Sequence, residues 1–346
     1  MSSAALATAR VAVLLVSHDG ARWLPGVLDG LDEQGLGSAH RVIAVDTGSK
    51  DDSTTLLARV ADVVPAPSST SYPRAVRIGL DHLDALEEQE PVGAGPHEWI
   101  WLLHDDSRPA PGALEALLAA ARARPDVDVL GPKLREWPSL RRLLEVGVTI
   151  SGTGRRETGL ERGEYDQGQH DEQREVLAVN TAGMLVRRRV LDKLGGFDEH
   201  LPIFGNDLDF GWRAAEAGHT TLVVPDAVVF HAEAAHRGLR RTPLTGRHTH
   251  YQERRAALHT LLANSSARAL PWRVARLSLG TVVRMIGFLM LRSLGEALDD
   301  LAALVSVLSR PGTIRAARRD RRAVALDPGA SSGARDLLAP AWVPYR

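Results

Sequence analysis

The sequence predicts an α/β fold built on a largely parallel sheet with helices on both faces. Short apolar runs alternate with amphipathic helical patterns through the first half of the chain, which is typical of parallel strands joined by crossover helices. Carboxylates follow several of these apolar runs directly. Beyond about residue 240 the pattern becomes helical throughout, which predicts a helical C-terminal extension.

The predicted elements follow from these patterns in chain order. Strands are predicted at Val11–Ser17, Arg41–Asp46, Trp99–Leu103, Val127–Leu130 and Thr221–Val224, with a further apolar segment at Val176–Val179. Helices are predicted at Arg22–Gln34, Asp52–Ala61, Tyr72–Glu90, Gly112–Arg124, Arg188–Leu194 and Asp207–Ala217. In open α/β sheets ligands bind outside the carboxyl ends of the strands, so the polar residues after these strands are the first site candidates.

Composition excludes several classes of protein. The chain has 346 residues, 44% of them hydrophobic and 25% charged, which is typical of a globular protein. Its formal net charge of -1 argues against a nucleic-acid partner. The absence of cysteine excludes disulfides, cysteine-based zinc sites and thiol catalysis. The sequence has no uninterrupted apolar stretch of about 18 residues, so no clear membrane span is predicted.

Changes in composition divide the chain into three parts: a catalytic domain over residues 1–240, a helical extension over 241–325 and a linker-like tail over 326–346. Within the first part, residues 151–175 are polar and rich in glycine. Two interpretations of that segment stay open, a mobile lid over a second substrate and a solvated surface excursion.

Carboxylates at strand ends are the main candidates for chemistry. Asp46 ends the second strand, where it either binds a nucleotide ribose or caps a turn. Asp105 and Asp106 end the strand in WIWLLHDDSRP, and two adjacent carboxylates there favour a divalent cation that relieves their repulsion. Asp207 and Asp209 open a helix, where capping accounts for one of them better than for both. His231 follows an apolar strand and is a candidate metal ligand.

These motifs, taken in order, resemble those of the family 2 glycosyltransferases over roughly residues 10–240. VSHDG is similar to the family's opening strand, VDTGSKDDS to its nucleoside-binding element, and HDDSRPAPGAL to its DxD element, with His104 and Asp106 at the two DxD positions. NTAGMLVRRRVLDKLGGFDE resembles the acceptor-side block, and FGNDLDFGWR resembles the helix start that carries the base. Asn206 stands where the family usually has Glu before the base, whereas Asp207 is retained.

The resemblance implies a GT-A fold, which is a Rossmann-like mixed sheet flanked by helices. It also implies an inverting, metal-dependent transfer of a sugar from a UDP- or dTDP-sugar to a hydroxyl of a cell-envelope glycan or lipid-linked acceptor. It implies Mg²⁺ or Mn²⁺ as the cofactor. The nearest likeness is to actinobacterial cell-wall rhamnosyl- and galactofuranosyltransferases. The residues it assigns are these: Asp207 and Asp209 for catalysis; Ser17, Asp19, Asp46, Arg74, Arg77, Asp105 and Asp106 for the donor; His104, Asp105, Asp106 and His231 for the metal; Gly183, Trp212 and Arg213 on the acceptor side.

The C-terminal helices carry apolar stripes of helical spacing. Leu279, Val282, Val283, Ile286, Leu289 and Met290 share one face, and the next helix repeats such a stripe from Leu294 to Leu308. A cluster of arginines follows between Arg310 and Arg322. Three interpretations stay open: packing on the catalytic domain, a homo-oligomer contact, and peripheral contact with a membrane.

An alternative function is a catalytically impaired module that binds nucleotide sugars within a polysaccharide assembly complex. The expected location is the cytoplasm, with attachment to the inner face of the membrane as one interpretation.

Overall fold

The computed structural model describes residues 9–91, 95–240, 242–244, 249–324 and 334–339. Its strands are β1 (Val11–Ser17), β2 (Arg41–Asp46), β3 (Asp62–Pro65), β4 (Trp99–His104), β5 (Ser107–Pro109), β6 (Val127–Glu136), β7 (Leu143–Glu145), β8 (Thr149–Ile150), β9 (Arg156–Glu157), β10 (Arg174–Glu175), β11 (Leu185–Arg187) and β12 (Thr220–His231). Its helices are α1 (Leu24–Asp32), α2 (Ser53–Leu57), α3 (Tyr72–Glu87), α4 (Ala113–Ala123), α5 (Arg188–Leu194), α6 (Asn206–Glu216), α7 (Thr249–Asn264), α8 (Leu270–Met290), α9 (Leu294–Leu308), α10 (Pro311–Val324) and α11 (Ala334–Leu337).

A mixed sheet forms the centre of the molecule, with its main path in the order β10-β12-β6-β11-β4-β1-β2-β3. Its β4-β1-β2-β3 half is parallel, as the alternation of strands and helices predicted. In the other half β6 and β12 are parallel, whereas β11 runs antiparallel to both β4 and β6. The prediction of a mixed α/β sheet flanked by helices is therefore confirmed. The strand–helix alternation by itself did not indicate which strands are antiparallel, and the structure shows that these are β5, β7, β10 and β11.

Alternate side chains of the central strands pack into two separate hydrophobic cores, one on each face of the sheet. Val11, Val13 and Leu15 of β1 pack on one face of the sheet with α1 and α4, while Ala12 and Leu14 pack on the other with α3 and α5. Because successive side chains of a strand point to opposite faces, a strand covered on both sides must be apolar throughout. This is why these strands appear in the sequence as continuous apolar runs.

Three of the predicted strands and apolar segments differ in the structure. The strands at 127 and 221 continue to Glu136 and His231, well past the predicted ends. The apolar segment 176–179 is buried but is not a strand, and within it Ala178 forms an isolated bridge to Val148.

The C-terminal helices pack against the catalytic half through a third core. Leu208 and Trp212 of α6 contact Leu258 and Leu261 of α7, and Ile314 of α10 joins the same core. The short helix α11 also packs there, and Thr149 Oγ1 donates to the Leu337 carbonyl at 2.7 Å. Most of the predicted tail lies outside the described residues, so its linker character stays a prediction, as do the predicted domain boundaries. Within the described part of the chain, none of the helices combines the length and apolarity needed to cross a membrane.

Candidate functional site

A cavity of about 1290 Å³ opens at the carboxyl ends of the strands. One side is formed by residues that follow β1 and β4, and another by the start of α6. Residues 151–158 and the helices α7 and α8 form the remaining wall. Polar side chains from the sheet edge and from the C-terminal extension therefore face one common space.

Three of the predicted metal ligands meet at the sheet edge. Potential ligand atoms of His104, Asp106 and His231 all lie within 4.8 Å of one another. The Nε2 atom of His231 is 3.3 Å from Asp106 Oδ1, and the two imidazole rings meet edge to face with centroids 5.4 Å apart. The geometry follows from the topology, because β5 pairs antiparallel with the end of β12 and so brings His231 beside the β4–β5 turn.

The donor set is suited to a divalent cation. Asp106 is 2% exposed; its Oδ2 accepts the Ala234 amide at 2.8 Å, whereas its buried Oδ1 has no hydrogen-bond partner among the described residues. Burial, reinforced by the charge of His231, lowers the pKa of His104 to about 3. A neutral imidazole keeps a lone pair for a cation. His231 differs, because against the effect of burial the charge of Asp106 raises its pKa. Asp106 Oδ1 and His104 thus fit a cation directly, and His231 would join them by giving up its proton.

Asp105 is engaged elsewhere. Its carboxylate accepts bonds from Arg240 Nη1 at 2.5 Å, from the His18 amide at 2.8 Å and from Ser17 Oγ at 3.0 Å. Gly20 passes so close that a β-carbon there would lie 2.3 Å from Asp105 Oδ2. Asp105 is therefore a buried anchor for the turn after β1 and lies outside the metal cluster, contrary to its prediction as a ligand.

Asp207 faces the cavity from the first turn of α6. Arg156 of β9 donates from Nη2 to Asp207 Oδ2 at 2.5 Å, and the same guanidinium binds Glu145 at 2.9 and 3.0 Å. Asn180 donates to Glu145 Oε2 at 2.9 Å. Burial raises the pKa of Glu145, an effect that Arg156 opposes and the charge of Asp207 adds to. Glu145 and Asp207 therefore share the guanidinium of Arg156.

The sequence matches a known protein family over most of its length. Residues 10–249 match the family described as Glycosyltransferase like family 2. The chain belongs to this family. A relative from Mycobacterium tuberculosis, N-acetylglucosaminyl-diphospho-decaprenol L-rhamnosyltransferase, is 29% identical over 216 residues, which cover 56% of this chain and 66% of the relative. The O-antigen biosynthesis protein RfbC of Myxococcus xanthus is 28% identical over 171 residues, or 48% of this chain and 13% of RfbC.

The fold is GT-A, as predicted. Residues 1–349 of S. aureus TarS, solved with UDP-GlcNAc, superpose with a TM-score of 0.51 at 14% identity, covering 91% of this chain and 90% of that one. A likeness at this identity speaks for the fold alone. The predicted resemblance to family 2 glycosyltransferases of cell-wall synthesis is confirmed by the family match and by the mycobacterial relative.

For this family 2 member, the structure brings a subset of the predicted residues into the cavity. They are Ser17, His104, Asp105, Asp106, Asp207 and His231. Asp46 is the last residue of β2, and its carboxylate accepts from Ser49, which follows the strand, and, at 3.2 Å, from Thr54 of α2. Asp19 accepts the Lys50 amide at 2.7 Å. Both lie at the carboxyl edge of the sheet, and donor binding by them stays a prediction.

The predicted arginines of α3 differ from expectation. Arg74 and Arg77 are both exposed and lie outside the cavity wall. Arg77 approaches Glu199 at 3.5 Å. These contacts are those of a solvated helix face, so neither arginine is placed to bind a diphosphate in this conformation.

Asp209, Trp212 and Arg213 also lie outside the cavity. Side chains two positions apart on a helix point about 200° apart, so Asp207 and Asp209 face opposite sides of α6. Asp209 is fully buried and accepts from Arg213 Nε at 2.8 Å, from Asn264 at 2.8 Å and from Arg321. Arg213 therefore orients Asp209 rather than Asp207, and Asp209 is a structural carboxylate, not half of a catalytic pair.

The two remaining acceptor-side predictions are packing residues. Trp212 is 3% exposed and belongs to the core shared with the C-terminal helices. Gly183 allows close packing, because a β-carbon there would lie 2.6 Å from the Pro132 ring, and its carbonyl accepts the Trp101 indole at 3.2 Å.

Sequence reasoning missed Arg156, Glu145 and Arg240. Arg156 lies in the segment interpreted as either lid or surface excursion, and the β8–β9 hairpin instead makes it part of the cavity wall. Arg240 reaches Asp105 across 135 residues of sequence. No local pattern marks such pairs, since the partners meet only when the whole sheet has formed.

Proposed function

We propose that this family 2 member transfers a sugar from a nucleoside-diphosphate donor to a hydroxyl group, with inversion at the anomeric carbon. The observation that carries the proposal is the convergence of His104, Asp106, His231 and Asp207 on one cavity. Cation-ligating groups at the sheet edge and a carboxylate from a helix start are the two components that such a transfer needs.

In the proposed reaction the acceptor oxygen forms a bond to the anomeric carbon as the bond from that carbon to the diphosphate oxygen breaks. The nucleoside diphosphate leaves with the bonding electron pair. Asp207 accepts the proton of the acceptor hydroxyl, and Arg156 holds the Asp207 carboxylate in place for that step.

A divalent cation held by Asp106, His104 and His231 would stabilise the charge that develops on the leaving diphosphate. Two imidazole nitrogens with one carboxylate favour Mn²⁺ over Mg²⁺, because Mg²⁺ prefers an all-oxygen shell. Arg240 and Asp105 keep the adjoining turn after β1 in position for the donor.

The mycobacterial relative is named for a lipid-linked diphospho-sugar acceptor and a rhamnosyl group. By analogy we propose a UDP- or dTDP-sugar donor and a cell-envelope glycan or polyprenyl-linked acceptor. We further propose that, to reach such an acceptor, the protein works in the cytoplasm at the inner face of the membrane.

A second candidate is a nucleotide-sugar-binding module that turns over slowly or not at all. The observation that favours it is the 2.5 Å ion pair between Arg156 and Asp207, which occupies the carboxylate proposed as the base. Turnover separates the two candidates, because both predict donor binding.

A thermal-shift panel tests the proposal. Uridine diphosphate, thymidine diphosphate and their sugars are added with Mn²⁺, Mg²⁺ or chelator to the wild type and to Asp106→Ala. Because a ligand of the folded state raises the melting temperature, we expect a cation-dependent shift with one nucleotide that Asp106→Ala lacks. No shift with any nucleotide would contradict the proposal.

A further inference from the structure

The exposed face of α8 is apolar, as a buried helix face usually is. Leu279 is 67% exposed and Met290 is 82% exposed. These side chains recur at three- and four-residue intervals, so they form one continuous stripe. The exposed large apolar residues of the stripe are Leu279, Val282, Val283, Ile286, Leu289 and Met290.

The neighbouring helix α9 extends this surface. Its exposed apolar residues are Leu294, Leu298, Leu301, Val305 and Leu308. Leu304, predicted as part of the same stripe, turns inward and is 9% exposed. Because α8 and α9 pack side by side, their two stripes give an apolar surface of the kind that soluble monomers do not leave facing water. We call it the α8–α9 face.

Charged groups of the same hairpin are turned inward. Asp300 of α9 is fully buried and accepts from Arg284 Nε at 2.6 Å and from His250 Nε2 at 2.8 Å. Arg254 Nε lies 3.9 Å from the same carboxylate. Burying charge is costly unless it is paired, so a paired Asp300 on the inner side with leucines on the outer side indicates that the outer side of the hairpin meets an apolar environment.

The region around this face is strongly basic. Residues 265–324 contain eleven arginines against four carboxylates, although the whole chain has a net charge of -1. The exposed arginines include Arg268 before α8, Arg292 between α8 and α9, and Arg315 and Arg322 on α10. Such a charge excess complements an anionic lipid surface.

We propose that the α8–α9 face docks in the plane of an anionic bilayer. Amphipathic helices bind in this way when their apolar face enters the acyl boundary and nearby basic groups meet the headgroups. The structure favours a bilayer over a second copy of the chain, because Leu279, Gly280 and Val283 line the cavity as well as belonging to α8. A protein seated on the face would cover that side of the cavity, whereas a bilayer would present lipid-borne molecules to it.

The consequence for the site rests on the proposed function. A lipid-linked acceptor would keep its chain in the bilayer beside α8 while its sugar enters the cavity toward Asp207. Vesicle binding itself needs neither donor nor acceptor, so its failure and the failure of the proposed reaction are distinguishable.

The test is flotation of the full chain with vesicles of equal parts phosphatidylglycerol and phosphatidylcholine, and with vesicles of phosphatidylcholine alone. The variant Ile286→Glu/Leu298→Glu alters two residues of the face that do not line the cavity and are 54% and 63% exposed. The control Val60→Glu/Tyr165→Glu alters apolar residues of the catalytic half with similar exposure, 48% and 56%.

We expect the wild type and the control to float with the anionic vesicles and to bind phosphatidylcholine more weakly. The face variant should bind about tenfold less or weaker still, with an unchanged melting temperature. Equal flotation of the face variant would overturn the proposal, as would no flotation of the wild type. A wild-type dimer in sedimentation velocity that the face variant dissociates, together with no vesicle binding, would assign the face to a second copy instead.

Discussion

The two sides of the cavity are built from different parts of the chain. The sheet edge takes its residues from neighbouring strand ends, and each of its main groups, His104, Asp106 and His231, ends or follows a strand. The opposite side takes Arg156 from a small hairpin, Asp207 from a helix start, and its outer wall from α7 and α8. One side is thus fixed by the sheet itself, and the other by how separate segments pack onto it.

This difference separates binding from chemistry. The sheet edge offers a carboxylate oxygen without a hydrogen bond among the described residues, together with imidazole nitrogens, and this set suits a cation. The opposite side offers a carboxylate that Arg156 holds in place, which suits a positioned proton acceptor once an acceptor hydroxyl reaches it. Variants on the two sides should therefore fail in different ways.

The largest effect is expected from Asp207→Asn. An amide cannot accept the acceptor proton, so kcat should fall by about a thousandfold. Donor affinity should stay within about threefold of wild type, since the sheet edge is intact. Steady-state kinetics and calorimetry with uridine diphosphate measure both quantities. The exposed Asp226 supplies the control, and Asp226→Asn should behave as wild type. If donor affinity in Asp207→Asn fell as much as kcat, the two sides of the cavity would not have separate roles in binding and chemistry.

A smaller effect is expected from Arg156→Ala. Without the guanidinium, Glu145 and Asp207 face each other as two carboxylates and Asp207 loses the group that holds it, so kcat should fall by about tenfold to a hundredfold. Arg156→Lys should recover part of the rate because it keeps the charge. Arg162→Ala, at an exposed position of the same segment, is the control. A rate for Arg156→Ala above wild type would instead indicate that the ion pair restrains the enzyme.

The third prediction concerns how the outer wall is attached. Arg321 of α10 binds Asp209, and it binds Asp198 at 2.8 Å; its side chain is 11% exposed. Arg321→Ala removes one cation from two buried carboxylates, although Asp209 keeps Arg213 and Asp198 keeps His259 as partners. The free energy of unfolding should therefore fall by about 2 kcal/mol. Arg322→Ala, at an exposed position, should change it by less than about 0.5 kcal/mol. Urea unfolding measures both, and equal stabilities would mean that α10 is not locked to the catalytic half.

Sequence reasoning succeeded where the evidence lies within one short stretch of chain. The central strands were predicted because burial on both faces requires continuous apolar runs. Asp106 and His231 were singled out because they follow such runs, and His104 through the resemblance to the DxD element; the structure brings the three together, and their binding of a metal stays a prediction. It failed where function depends on which face of an element is turned inward. Asp207 and Asp209 are nearly indistinguishable as sequence, yet one faces the cavity and the other a buried arginine pair.

Sequence reasoning also did not predict the ion pairs between residues far apart in the chain, because these depend on how separate elements pack. Arg156 pairs with Asp207 across 51 residues, and Arg321 reaches Asp209 across 112. The exposed stripe of α8 was predicted as a stripe, but its exposure depended on the packing of α9 and α7, which periodicity does not report.

The most direct test of the proposed metal site is a Mn²⁺ titration in the presence of uridine diphosphate, monitored by electron paramagnetic resonance. The wild type is compared with Asp105→Asn and Asp106→Asn. These variants alter two adjacent carboxylates, of which only Asp106 belongs to the cluster with His104 and His231. The account predicts one bound Mn²⁺ per wild-type chain, retained in Asp105→Asn and lost in Asp106→Asn. Loss in Asp105→Asn with retention in Asp106→Asn, or no bound Mn²⁺ in the wild type, would contradict it.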